Sequence, residues 1–273
     1  MFKRGDKLFF NIKYFTITVI VIFIALGVGM FIGFMFEAQE IVVSTRHDII
    51  SQLESRFTYL NEENEKLQKE ISSLKSKNNN YKKFSNYLLP HIVKDKLSGK
   101  DIAILKFSND YLFNDIYDFL KKAGTNNLSI TTVNLNKANE DMLLSVIDSI
   151  ISINDKKIMD YSDKEIITTY GDYNKKVEYI ILACSYEEIE FNKFKRVLKR
   201  INNKCSESLI TVIGIEKEES EKTYVSLYKE FNISSVDNIN SIIGKISLIS
   251  ILNGKKGNFG IKKASDSLMP DFP

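Results

Sequence analysis

The chain changes its hydrophobic rhythm three times, and each change predicts a different element. The first rhythm is an unbroken apolar run over residues 15–36, FTITVIVIFIALGVGMFIGFMF, without one charged side chain. A helix of that length rises roughly 33 Å, enough to cross a hydrocarbon core of about 30 Å. In lipid a helix satisfies its own backbone polar groups, so the pattern predicts one transmembrane helix. A cleaved secretion signal fits less well. The apolar run is too long, and Phe36-Glu37-Ala38 places a bulky residue where a small one is needed. Lys3, Arg4, Lys7 and Lys13 precede the run against Asp6 alone, whereas Glu37, Glu40 and Asp48 follow it with Arg46. The positive-inside rule then keeps residues 1–14 in the cytosol and exports the chain from Glu37 onward across the cell membrane.

The second rhythm has a period of seven. From about residue 41 to 83 there is neither proline nor glycine. With Leu53, Leu60, Leu67 and Leu74 at heptad position d, position a holds Ile50, Phe57, Asn64, Ile71 and Asn78, and Tyr81 is the next d. Leucine at d with β-branched residues at a favours two strands, and asparagine at a selects parallel, in-register pairing at a cost in stability. Glu70 at g would face Lys75 at e of a partner. A single amphipathic helix lying on its own domain would instead bury Asn64 and Asn78 unmatched, so a parallel homodimer is expected. Gly29 and Gly33 in the apolar run have the spacing that lets two membrane helices approach. Glycine is also simply common in such helices, so the pair gains its weight from the stalk that follows. The predicted dimerisation set is Gly29, Gly33, Leu53, Leu60, Asn64, Leu67, Ile71, Leu74 and Asn78. Helical character is expected to fade at Lys77-Asn78-Asn79-Asn80, and Leu89-Pro90 to end the last helical stretch.

The third rhythm alternates short apolar runs with amphipathic stretches. Strands are expected at 101–107, 128–135, 177–184, 209–215 and, as a short edge strand, 233–236. Helices are expected at 111–122, 139–153, 188–201, 220–231 and 239–252, with a short one around 163–169. Strands regularly separated by helices imply a parallel sheet covered on both faces. The predicted fold is therefore α/β. It comprises a single N-terminal transmembrane helix, a parallel dimeric coiled coil and a three-layer, parallel-sheet domain of flavodoxin-like or Rossmann-like type. The expected divisions are 1–14, 15–36, 37–85 (stalk), 86–100 (linker), 101–253 (extracytoplasmic domain) and 254–273. The last segment is polar and glycine-punctuated and is expected to be loosely ordered, with Phe259 or Leu268-Met269-Pro270 able to tuck against the domain.

Composition adds little to this outline. A net charge of +3 implies no nucleic-acid partner, and two cysteines make no disulfide scaffold. Richness in Ile, Lys and Asn without Trp fits an AT-rich bacterial genome.

Such a sheet invites an enzyme reading, but the expected loops lack the parts. Ser108-Asn109-Asp110, Ser185-Tyr186-Glu187-Glu188 and Glu216-Lys217-Glu218-Glu219 follow strands without a glycine-rich cradle, and acids would repel a phosphate. The acids are compatible with a divalent cation or, more simply, with the dipole of the helix they open. His47 and His91 are the only histidines and both precede the α/β domain, so no histidine-based triad exists within it. No catalytic residue is predicted, and no metal ligands are identified. Cys184 ends one strand and Cys205 precedes the next, at opposite edges of a parallel sheet roughly 17–20 Å apart. That is beyond a disulfide's reach, so both are expected to be free. Lys193, Lys195, Arg196, Lys199 and Arg200 form a basic helical stretch, read as a solvated face or as a contact for envelope phosphates.

The layout resembles the mycobacterial copper transport protein B (MctB) family of actinobacteria and clostridia. The residues that carry the resemblance are Ala25-Leu26-Gly27-Val28-Gly29-Met30-Phe31-Ile32-Gly33 with the coiled coil behind it, and Leu89-Pro90-His91-Ile92-Val93. With them stand Leu97-Ser98-Gly99-Lys100-Asp101-Ile102-Ala103-Ile104-Leu105, Gly257-Asn258-Phe259-Gly260 and Met269-Pro270. The resemblance implies a part in copper transport or efflux across the envelope, and related actinobacterial proteins are associated with envelope and division machinery. Copper(I) takes clustered thiolates, thioethers or imidazoles, and here His47, His91, Cys184 and Cys205 are dispersed. Two functions are therefore expected: copper handling, or a non-enzymatic envelope scaffold or regulator that binds an envelope protein.

Overall fold

The computed structural model describes residues 12–107, 113–135, 137–173, 175–184, 190–219 and 222–271, with backbone alone for 37–48, 114 and 155. The charges at Lys3, Arg4, Asp6 and Lys7, the loops 108–110 and 185–188, and the side chains of Glu37, Glu40, Arg46, His47 and Asp48 lie outside the described residues. The chain divides into two compact units, Met1–Asn79 and Asn80–Pro273, and helix α1 (Ile12–Val93) contributes to both.

In the first unit, Ile12–Phe36 is one helical stretch of 25 residues with a mean hydropathy of 2.8 and no burial within the chain. It is long and apolar enough to serve as a membrane anchor. Residues 49–79 continue as helix with their side chains exposed.

In the second unit the end of α1 differs from expectation. The helix passes through Asn78, Asn79 and Asn80 and through Pro90, stopping at Val93. Pro90 withholds the donor that the Asn86 carbonyl would otherwise receive and crowds that turn of the helix. Leu89 and Val93 on that turn are buried with Leu97, Phe119 and Leu120. Burial at about 1.5–3 kcal/mol per side chain offsets the missing hydrogen bond.

The seven-stranded sheet has the order β3-β2-β1-β4-β5-β6-β7. Its strands are β1 (Asp101–Lys106), β2 (Asn127–Val133), β3 (Ile167–Gly171), β4 (Tyr179–Ala183), β5 (Thr211–Ile215), β6 (Ser234–Val236) and β7 (Asn258–Phe259). The parallel strands β2-β1-β4-β5-β6 follow the flavodoxin-like order. Alternate residues of each strand serve opposite cores. Ile102, Ile104, Ile181 and Ile213 face the end of α1, α2 (Asn114–Lys122) and α7 (Ile242–Leu252). Ala103, Leu105, Ile180 and Leu182 face α3 (Glu140–Ile151), α5 (Phe191–Glu207) and α6 (Val225–Glu230). The three layers follow from this period of two.

Asn139 starts α3 by accepting Met142 N–H at 2.8 Å, and Ser241 starts α7 by accepting Gly244 N–H at 2.9 Å. Gly214 on β5 leaves room for the ring of Tyr228, since a β-carbon there would lie 2.4 Å from it.

Three further expectations need correction. The helix foreseen around 163–169 is instead α4 (Asp155–Asp163) followed by β3, which pairs antiparallel with β2 at the sheet edge. Only Ile167 of β3 is fully buried, so the strand carries no clean alternation. Cys205 sits in the last turns of α5, which runs six residues beyond the expected end; both cysteines are buried and in no disulfide. The carboxyl-terminal segment, expected to be loose, is stitched into the sheet. β7 pairs in parallel with β6, so β6 is not an edge. Phe259 is buried, as is Pro270.

Candidate functional site

The residues singled out for pairing all lie on α1. A β-carbon added at Gly29 or Gly33 would meet nothing within 4 Å, so this face of the anchor is open within the chain. Leu53, Leu60, Leu67, Ile71 and Leu74 are 50–66% exposed, a stripe over roughly 31 Å of helix that its own chain leaves uncovered. Asn64 lies in the same stripe and accepts Gln68 Nε2 at 3.1 Å, and Asn78 is exposed. The leucines repeated every seventh residue are thus open to solvent within the chain.

In a doubly wound sheet the place for a ligand is the carboxyl edge, at the β1/β4 switch point. Phe107 and Cys184 at that edge are buried, and the loops beyond them are outside the described residues. Further along the same edge stand two acids. Glu216 follows β5 and is only 2% exposed. Its carboxylate accepts Thr223 Oγ1 at 2.8 Å and Tyr224 N–H at 2.8 Å. Burial pushes its pKa up to about 7, opposed by those two bonds, raised further by Asp237 and lowered by Lys262. Asp237 follows β6 and is wholly buried. It accepts Ile261 N–H at 2.8 Å, Lys262 N–H at 3.0 Å and the Ser265 hydroxyl. Gly260 is required there, because its φ is +144° and a β-carbon would fall 1.9 Å from Asp237 Oδ1.

The loop after β5 is tied to the same region. Glu218 N–H donates to Asn240 Oδ1 at 3.1 Å, Asn240 Nδ2 donates to Glu219 at 2.8 Å, and Lys262 Nζ donates to the Glu218 carbonyl at 2.7 Å. Of the acids expected to serve a helix dipole or a cation, those after β1 and β4 lie outside the described residues, whereas Glu216 and Glu219 bind protein donors. They form a clasp that holds the carboxyl-terminal segment on the sheet. The sequence signal for it was an acid directly after each of two adjacent strands, and nothing local pointed to residues 260–265 as the partners.

The basic stretch of α5 is used within the domain. Arg196 pairs with Glu140 at 2.8 Å, Arg200 with Asp141 at 3.2 Å, and Lys204 with Asp148, all on α3; Lys195 pairs with Glu230 of α6 at 2.8 Å. These exposed pairs favour the reading of a solvated face, each worth little by itself.

For copper, the donor set is the test. Among the described residues no three His, Cys, Asp or Glu side chains gather as a metal site. His91 is exposed with its ring 5.5 Å from that of Tyr87. Burial pushes the Cys205 thiol up to about 12, with Asp148 adding to it, so it is a packed thiol rather than a thiolate ligand. Met30 and Met35 are exposed on the anchor.

The family model described as copper transport outer membrane protein, MctB, matches residues 9–171. The match covers more than half of the chain, from the anchor through β3, and stops before the clasp. A search of curated proteins finds no match.

Proposed function

The chain belongs to the MctB family, and we propose that it serves copper handling at the bacterial envelope as a paired, non-enzymatic, single-pass membrane protein. Two copies associate in parallel through the α1 seam, with Gly29 and Gly33 apposed in the membrane, and carry the α/β domains on the extracytoplasmic side. The uncovered leucine stripe of α1 is the observation that carries this reading. Asn64 and Asn78 at heptad position a support parallel, in-register pairing over any other use of that stripe. The family description names an outer membrane, but the anchor here is an apolar helix rather than a set of barrel strands, which supports the cell membrane as its site.

The described residues hold one helix of membrane length, and one helix per chain encloses no channel for an ion unless several chains assemble. The dispersed donors therefore favour a protein that positions or recruits an envelope partner over one that conducts copper. The same observation favours a second reading, a scaffold or regulator of envelope or division machinery with no copper role. Copper(I) titration of the full chain in detergent, with copper tolerance of a deletion strain, separates the two. Micromolar or tighter binding and a copper-sensitive deletion support the first. No binding, with unchanged tolerance and altered septation or cell shape, supports the second. Protease added to intact cells tests the topology: residues beyond Glu37 are expected to be digested.

A further inference from the structure

We infer that the pairing seam does not stop at the polar run 77–80 but continues to Ile92, so that two copies also meet at the base of their α/β domains; this rests on the dimer reading above. The sequence pattern alone stops the stalk near residue 85, because the asparagines and Pro90 both argue against helix. The structure keeps α1 helical through both, to Val93. The heptad register therefore runs on unbroken, with Tyr81 and Leu88 at d and Ser85 and Ile92 at a.

Exposure divides this last stretch into two apolar sides. Leu89 and Val93 are buried in their own domain. Roughly a quarter-turn round the helix, Tyr81 and Ile92 remain 71% and 50% exposed, flanked by Phe84 at 61%. The chain fills one side itself, half-covers Ser85 and Leu88, and leaves Tyr81, Phe84 and Ile92 open. The open side holds the heptad positions counted on from residues 53–74, so the occupant that fits is a second copy, each residue facing its own counterpart. Ser85, small and at position a, leaves room between the paired helices for the Tyr81 and Phe84 rings. Lys77 at g and Lys82 at e of the partner would place like charges across one turn, an exposed cost of only a few tenths of a kcal/mol. The cleft lined by Asn86, Pro90, Asp115, Lys122 and Lys245 lies on the other side of the helix and stays open in such a dimer.

Single cysteines in the full chain, oxidised with diamide in native membranes, test this. The variants are Leu60→Cys in the stalk, Ser85→Cys and Ile92→Cys in the extension, and Asn86→Cys on the cleft side; the unaltered chain, with its two buried thiols, supplies the background. In an in-register pair, Ser85→Cys and Ile92→Cys should yield covalent dimer within about twofold of Leu60→Cys, and Asn86→Cys about fivefold less or lower. Bridging at residue 60 without bridging at 85 and 92 would end the seam in the stalk and overturn the inference while leaving the dimer intact. Equal bridging at residue 86 would mark random collision and overturn it as well. Failure at residue 60 together with 85 and 92 would remove the dimer itself.

Discussion

Glu216→Gln isolates the buried acid of the clasp with almost no change in shape. The amide oxygen can accept Tyr224 N–H, and the amide nitrogen can donate to Thr223 Oγ1, so both contacts survive. What changes is charge. A carboxyl whose pKa rises from 4.5 in the unfolded chain to about 7 in the fold disfavours its ionised form on folding. Below about 4.5 the group is protonated in both states and costs nothing; above about 7 the whole penalty applies, on the order of 3 kcal/mol. Stability should therefore fall as pH rises from 5 to 8, the reverse of the usual behaviour of a salt-bridged acid. Tyr173 and Cys205, both near 12, and Asp266, held below its ordinary range by Lys229, titrate outside this window. Urea unfolding of the full chain in detergent can be followed by tyrosine fluorescence, since the chain has no tryptophan and Tyr224 and Tyr228 are fully buried. The wild type should lose on the order of 2–3 kcal/mol between pH 5 and 8, and Glu216→Gln should lose little, with the two converging at pH 5. Equal pH slopes in the two proteins would show that burial of Glu216 does not control its ionisation.

Other consequences follow from the same geometry. Leu67→Cys should form a covalent dimer under mild oxidation, and a persistent monomer on non-reducing gels would count against the seam. Gly214→Ala pushes a β-carbon to 2.4 Å from the Tyr228 ring and should lower stability by about 1–3 kcal/mol; an unchanged urea midpoint would mean the ring moves freely. Gly260→Ala meets Asp237 in a backbone conformation that L-residues rarely adopt, and should cost more than about 2 kcal/mol. Limited proteolysis should then cut within 261–271 well before the rest of the domain. Neither Cys184 nor Cys205 should react with a thiol reagent until urea unfolds the domain, because both are fully buried. Prompt reaction of either in the native protein would contradict that packing.

The readable parts of this chain are those where one local pattern suffices. A charge-free run of 22 residues needs no tertiary partner to be recognised as a membrane-length helix. The same holds for the apolar cores of β1 and β4 and for the amphipathic face of α5, where Phe194, Val197, Leu198 and Ile201 point inward as their spacing requires. The helical state of residues 49–74 is likewise local, since a proline- and glycine-free stretch with helical spacing is visible in one dimension.

Other features were decided only when distant segments met. Pro90 lies within a helix because Leu89 and Val93 gain more from burial than one absent donor loses. β3 runs antiparallel at the edge because Tyr173 ties the returning chain to β2 through Thr131 and the Ile130 carbonyl. The glycine-punctuated terminus reads as loose because two residues of strand and a set of backbone donors have no hydrophobic signature; Asp237, more than twenty residues earlier, supplies their acceptor. Hydrophobic period is a property of neighbours in sequence and so is legible there. The satisfaction of buried polar groups is a property of neighbours in space, and for Glu216 and Asp237 it took the folded sheet to decide it.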